Sequence, residues 1–169
     1  MAEENTAPVY SQDSPFTFSC RPGLSCFTAC CRDVNIFLTP YDVLRLRSAL
    51  ESSSEEFLQR YTRTLVAQQT GLPVVVLRME EDGRRSCPFV GEEGCTVYAD
   101  RPWACRMYPL DRVGEKYTPI VDSATCRGFG EGVAQRLEDW LVHQGVVEYD
   151  DASAPFDRIS AAGPLGLPE

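Results

Sequence analysis

Eight cysteines in a chain of 169 residues offer more chemistry than any other residue type present. They fall at Cys20, Cys26, Cys30, Cys31, Cys87, Cys95, Cys105 and Cys126. The spacing is C-x5-C-x3-C-C, a gap of 55 residues, C-x7-C-x9-C, a gap of 20 residues, and a last cysteine. A thiolate is a soft donor suited to zinc, iron and iron–sulfur clusters. Adjacent cysteines such as Cys30 and Cys31 are too close along the backbone to pair with each other without strain. If residues 26–30 are helical, Cys26 and Cys30 lie one turn apart on one face and can chelate one centre. Cys31 then points about 100° away around the helix. Two such neighbours suit two centres, or two irons of one cluster. The competing reading makes one of them a small buried hydrophobe.

Arginines accompany the thiols. Cys20, Cys31, Cys105 and Cys126 are followed directly by Arg21, Arg32, Arg106 and Arg127. Nearby guanidinium groups favour the thiolate form and offset the negative charge of a four-thiolate centre. Arg32, Arg106 and Arg127, with Arg101 beside Pro102, are therefore expected around the metal without ligating it. A simple preference for arginine over lysine, 15 against one, is the alternative explanation. The choice of metal is less direct. Structural zinc sites favour C-x2–4-C knuckles, and only Cys26 and Cys30 fit that range. The irregular spacing points slightly toward an iron–sulfur cluster, with a Zn2+ or Fe ion as the other cofactor. His143, the single histidine, lies in an amphipathic segment and reads as a helix residue rather than a ligand.

Composition narrows the field. The net charge of −9 argues against a nucleic-acid partner and against binding to an anionic membrane surface, since both need a basic field. The opening "MAEENTAPVYSQDSP" has neither the basic nor the apolar region of a signal peptide. No apolar run approaches the roughly 18 residues that span a bilayer. The expected location is the cytoplasm, where thiols stay reduced and cysteine clusters serve metals or redox chemistry.

The elements that must position the cysteines are short. Thr39 and Pro40 start a helix over "LTPYDVLRLRSAL". Ser53 and Glu56 form a capping box for a second helix. Phe57, Tyr61, Leu65 and Val66 are its expected apolar stripe, and Gly71 its stop. "PVVVLRM" reads as a strand, followed through "EEDG" by a hairpin return in "RRSCPFV". "DRPWACRMYP" reads as a short helix with Asp100 as N-cap, ended by Pro109. "LDRVGEKYTPIV" suggests a hairpin turning near Gly114. The last helix spans "GVAQRLEDWLVHQG", with Val133, Leu137, Trp140 and Leu141 as its stripe and Gly145 as its stop. "GFGEG" lacks the strand and downstream acid of a nucleotide loop and reads as a turn beside the metal. Trp103 is expected to pack on the core. The expected fold is α+β: a small, irregular, cysteine-rich metal-binding domain of short helices and hairpins. Residues 16–149 form that domain, residues 1–15 a flexible leader and residues 150–169 a flexible tail.

"CFTACCRD", "CPFVGEEGCTVYADRPWACRMYP" and the later "CRGFGEG" together resemble the YkgJ-type cysteine-cluster family, described as a zinc- or iron-chelating domain. The resemblance covers about residues 16–130. Its specific part is the second block, on which Cys87, Pro88, Phe89, Cys95, Tyr98, Arg101, Pro102, Cys105, Arg106 and Pro109 fall. The first block has five and three intervening residues where the family has two and two, so Cys105 ranks ahead of Cys20 as a ligand. The resemblance implies metal chelation. A related cluster occurs in the much longer flagellin lysine-N-methylases. The expected function is thus a cytosolic metal-binding protein with a redox or accessory role, its eight cysteines holding one or two centres. The alternatives are a structural zinc module that presents a surface to a protein partner, and a protein-modifying enzyme related to the methylases.

Overall fold

The computed structural model describes residues 7–68 and 71–161. The described residues form a mixed α+β structure of short helices and small antiparallel sheets. In chain order these are β1 (Pro15–Phe16), β2 (Phe37–Leu38), α1 (Pro40–Ala49), α2 (Ser54–Tyr61), β3 (Thr62–Val66) and β4 (Pro73–Leu77). Then come β5 (Val90–Gly91), β6 (Gly94–Cys95), α3 (Trp103–Met107), β7 (Leu110–Val113) and β8 (Lys116–Pro119). β9 (Gln135–Arg136), α4 (Leu137–Gln144) and α5 (Val146–Ala161) complete the order. Single 3-10 turns occupy Ala29–Cys31 and Tyr98–Asp100.

The chain divides into two compact units, one within Met1–Phe27 and Met107–Val146, the other within Thr28–Arg106 and Val147–Glu169. In the first, β1 pairs antiparallel with β9, and β7 with β8. Its interior is aromatic. Phe16 meets the Trp140 ring edge-on at 5.0 Å, and Phe18 meets Phe129 at 5.6 Å and Trp140 at 5.9 Å. Edge-to-face pairs of this kind place the positive ring edge on the negative face. The "GFGEG" turn is stitched to the strand before Cys20: Ser19 N–H donates to the Gly128 carbonyl at 3.1 Å and Gly130 N–H to that of Thr17 at 3.0 Å.

In the second unit the sheet order is β2-β4-β3. Leu38, Leu46, Phe57, Leu77, Phe89 and Val97 form its core, with Cys87 and Cys95 packed against it. α2 starts with the expected capping box of Ser53 and Glu56, and Thr39, the expected N-cap of α1, forms a second box with Asp42. Each box satisfies two backbone donors that a helix start leaves over.

Several expectations are corrected. α2 stops at Tyr61, and Thr62–Val66 is a strand. The β-branched residues Thr62, Thr64 and Val66 lower helix propensity there, and β4 supplies a ladder. Leu65 and Val66 are exposed rather than part of a buried stripe. The hairpin partner of β4 is therefore β3, while the stretch after "EEDG" bridges to Arg32 through Ser86 and gives Val90 to β5. Asp100 does not cap α3; it pairs with Arg45 at 2.7 Å. Val133 is exposed, and α4 begins only at Leu137. The hairpin at Gly114 and the left-handed stop at Gly145, φ 73°, are as expected. The segment from Asp150, expected as a tail, is helical through Ala161, with Ser153 buried. Within the expected leader, Tyr10 bridges to Tyr117. Residues 1–6 of that leader and 162–169 of that tail lie outside the described residues.

Gly128 shows how tightly the first unit is built. A β-carbon there would lie 2.6 Å from the Phe18 ring and 2.9 Å from the Ser19 carbonyl. Gly128→Ala is expected to destabilise that unit by about 1–3 kcal/mol, the usual range for overpacking. Urea unfolding followed by tryptophan emission, with hydrogen exchange at the Ser19 amide, measures it. Unchanged stability would mean that the turn has room to shift.

Candidate metal centre

Five of the eight cysteines belong to the second unit: Cys30, Cys31, Cys87, Cys95 and Cys105. Four different local structures carry them. Cys30 and Cys31 lie in the 3-10 turn Ala29–Cys31. Cys87 begins a turn closed by Val90 N–H on its carbonyl at 3.1 Å. Cys95 ends β6, opposite Val90 of β5. Cys105 sits in the middle of α3. The backbone ties the first two of these structures together, since Cys87 N–H donates to the Cys31 carbonyl at 2.8 Å and Arg32 bridges to Ser86.

The electrostatics shows which thiols are neighbours. Burial pushes Cys87 and Cys95 above the ordinary thiol value, and charge on Cys30 adds to the rise in both. For Cys105 burial again dominates, reinforced by Cys87, Cys95 and Cys30, and the thiol is pushed up to about 12. As a whole residue Cys105 is only partly buried, yet enough protein surrounds its sulfur to strip most of its water. Cys30 is raised most strongly, first by a hydrogen bond with the Cys31 thiol and then by burial. Cys30, Cys87, Cys95 and Cys105 therefore share one desolvated neighbourhood. Burial and the neighbouring thiols disfavour ionisation of each of them.

Two of the expected arginines supply some of that charge. Arg32 lowers the cost of ionising Cys30, and Arg101 does the same for Cys95 and Cys105. Arg101 is itself buried, stacked 4.0 Å above the Tyr98 ring and donating to the Tyr98 carbonyl at 2.8 Å. Arg32 donates to the Thr28 carbonyl at 2.8 Å. Arg106 is buried, donates to the Arg101 carbonyl at 3.0 Å and the Tyr149 hydroxyl at 3.1 Å, and stacks on the Tyr149 ring. These contacts brace the backbone on the N-terminal side of Cys105.

The remaining cysteines belong to the first unit. The Cys26 sulfur accepts the Arg127 backbone N–H at 3.2 Å. Cys126 is buried and Cys20 exposed. The Arg127 side chain reaches the Ser123 carbonyl, and Arg21 pairs with Glu131 at 3.0 Å. Residues 26–30 do not form an α-helix. Thr28 takes a left-handed conformation, φ 64°, which no α-helix accommodates. Cys26 and Cys30 are thus not one helical turn apart. His143 is exposed on α4, its Nδ1 3.0 Å from the Gln135 side-chain oxygen. Trp103 is partly buried, and its indole Nε1–H donates to Asp150 Oδ1 at 2.8 Å.

One residue that the sequence left unmarked sits behind the site. Asp42 is fully buried. Its Oδ2 accepts from Thr39 N–H at 2.7 Å and the Thr39 hydroxyl at 2.9 Å, while Oδ1 accepts from Trp103 N–H at 2.8 Å. One carboxylate thus caps both α1 and α3. The T-x-x-D spacing predicts the first cap; the second links residues 61 positions apart and leaves no local signal.

The donor set fits a soft metal. Four thiols share a neighbourhood that water has largely left, and Arg101 lies beside two of them. Among the described residues, no three Cys, His, Asp or Glu side chains have closed to a chelating geometry. A family model described as a putative zinc- or iron-chelating domain, CxxCxxCC, matches residues 19–127, more than half of the chain.

The chain belongs to this family. Metal chelation is thereby the activity that the family supports, and the thiolate donors expected to bind zinc or iron agree with its description. No curated protein and no solved structure matches the chain significantly. Among the described residues no helix is long and apolar enough to cross a membrane. The matched segment holds all eight cysteines and stops short of α4 and α5.

The thiols carry a pH signature in the metal-free protein. The Cys105 thiol is raised in the folded state from 9.0 to about 12, so between those values the folded chain holds a proton that the unfolded chain has released. Stability is then fully present below pH 9 and lost as pH rises toward 12, by up to about 1.4 kcal/mol per unit for each such group. Urea titrations of the metal-free protein from pH 8 to 11 measure the slope. Cys105→Ala should flatten it, and a wild-type profile already flat would place the thiol in water.

Proposed function

We propose that Cys30, Cys87, Cys95 and Cys105 hold a thiolate-only metal centre and that the chain is a metalloprotein of the reducing cytoplasm. The single observation that carries the reading is the mutual desolvation and repulsion of these four thiols. Four buried thiolates repel one another unless a cation or a cluster iron offsets them. Once bound, an iron–sulfur cluster supplies one-electron transfer, and a zinc ion supplies rigidity. An iron–sulfur cluster in a redox or accessory role is the first reading, supported by the irregular ligand spacing. Arg32 and Arg101 act as counter-charges beside the sulfurs, while Arg106 holds the loop and helix that present Cys105. Cys20, Cys26 and Cys126, with Arg127, form the further thiol set of the first unit and are candidates for a second centre. Cys31 supports Cys30 through its thiol and Cys87 through its carbonyl.

A structural zinc module is the second reading. Cys87 and Cys95 pack directly against the core around Phe89 and Val97, where a closed tetrahedral ion would cross-link the fold.

Anaerobic purification with metal analysis and visible absorption separates the two. A brown protein with iron and sulfide supports the cluster, and a colourless one with stoichiometric zinc supports the module. Cys105→Ser is expected to lose most of the bound metal, because a hydroxyl is a poor substitute for a soft thiolate. Arg106→Ala should retain more metal than Cys105→Ser while lowering stability by about 1–3 kcal/mol, since it strips donors from buried acceptors. Full occupancy in Cys105→Ser would remove the second cysteine block from the site.

A further inference from the structure

α3 is five residues long, too short to hold its own shape. What fixes it comes from other elements. Its first residue, Trp103, is anchored twice: the backbone N–H donates to Asp42 Oδ1 at 2.8 Å, and the indole Nε1–H donates to Asp150 Oδ1 at 2.8 Å. On the other side of Cys105, Arg106 donates to the Tyr149 hydroxyl at 3.1 Å and lies 4.2 Å above the Tyr149 ring. The two residues that flank Cys105 in this way are both held by α5. That helix is in turn fixed to α1. Glu148 accepts the Tyr41 hydroxyl at 2.6 Å and pairs with Arg45 at 3.2 Å, and the Tyr41 and Tyr149 rings meet edge-on at 4.8 Å.

Glu148, Tyr149 and Asp150 are consecutive, and each bonds to α1 or α3. None of them lies in the segment matched by the family model, which ends at residue 127. We propose that α5 is a clasp that positions Cys105 for metal binding, acting on Trp103 through Asp150 and on Arg106 through Tyr149. This rests on the reading of Cys105 as a ligand. A ligating sulfur must be held to within about 0.5 Å of its productive position, and a single turn of helix cannot do that alone. Metal retention in this protein then depends on residues beyond the chelating segment itself.

The test uses the full chain, loaded anaerobically with Co(II), whose thiolate charge-transfer and d–d bands report ligand number and geometry. Asp150→Ala removes the acceptor for the Trp103 indole. Asp150→Asn keeps an oxygen there and removes only the charge. Asp150→Ala is expected to release Co(II) to excess EDTA about tenfold faster, the loss of one charge-assisted hydrogen bond, with an altered d–d envelope. Asp150→Asn should stay within about twofold of wild type. Tyr149→Phe keeps the ring under Arg106, loses only the hydroxyl, and should release about threefold faster; it serves if Asp150→Ala fails to fold. Urea unfolding of the metal-free variants is measured in parallel. Wild-type release and spectrum in Asp150→Ala, or equal losses in Asp150→Ala and Asp150→Asn, would overturn the clasp. So would release that rises only as far as unfolding does. If the wild type takes up no Co(II), or Cys105→Ser binds it unchanged, the ligand reading falls and the clasp with it; a clasp that fails alone leaves wild-type uptake intact.

Discussion

Sulfur burial is the constraint on which the second unit depends. A thiol is comfortable against apolar surface, a thiolate is not, and a set of thiolates is worse because each raises the energy of the next. Cys87 and Cys95 rest on the same hydrophobic surface that Phe57, Leu46 and Leu77 build. The core therefore does two jobs with one set of contacts: it stabilises the sheet and helices, and it removes water from the sulfurs. A soft cation held there would relieve both the repulsion and the desolvation at once. Arg101 and Arg32 offset part of the cost.

Much of the fold was legible where the signal is local. Thr39 and Ser53 cap their helices as their spacing requires, and Gly145 stops α4 in the left-handed conformation that glycine accepts without strain. The hairpin of β7 and β8 turns at Gly114 as its sequence demands. The failures share a cause. Phe57, Tyr61 and Leu65 match a helical period, but the strand choice for Thr62–Val66 depends on β4 being available beside it. The acidic and alanine-rich stretch after Asp150 looks unstructured until Tyr149 and Asp150 find Arg106 and Trp103. Periodicity is read along the chain, while pairing and docking are decided across it.

The candidate site follows the same rule. The residue type was enough to mark the cysteines as donors. Which of them meet was not, because Cys30, Cys87 and Cys105 are brought together by turns and helices whose contacts are distant in sequence. The run "CFTACCRD" also hides a boundary. Phe27 closes one compact unit and Thr28 opens the other, so what reads as one cysteine cluster supplies thiols to two units. Cys30 and Cys31 lie wholly on the second side. Their adjacency places one thiol among the buried sulfurs and uses its neighbour's carbonyl to hold Cys87.

The discontinuous first unit has a consequence for how the chain is made. β1 pairs with β9, so Pro15 finds Arg136 only after about 120 further residues have been synthesised. At roughly 5–20 residues per second that interval is about 6–24 s. Throughout it Cys20 and Cys26 wait on a segment whose strand partner does not yet exist, while the six later thiols from Cys30 to Cys126 are delivered beside them. The order of emergence leaves these early sulfurs longest without the strand partner of their segment, and so longest open to oxidants and stray ions.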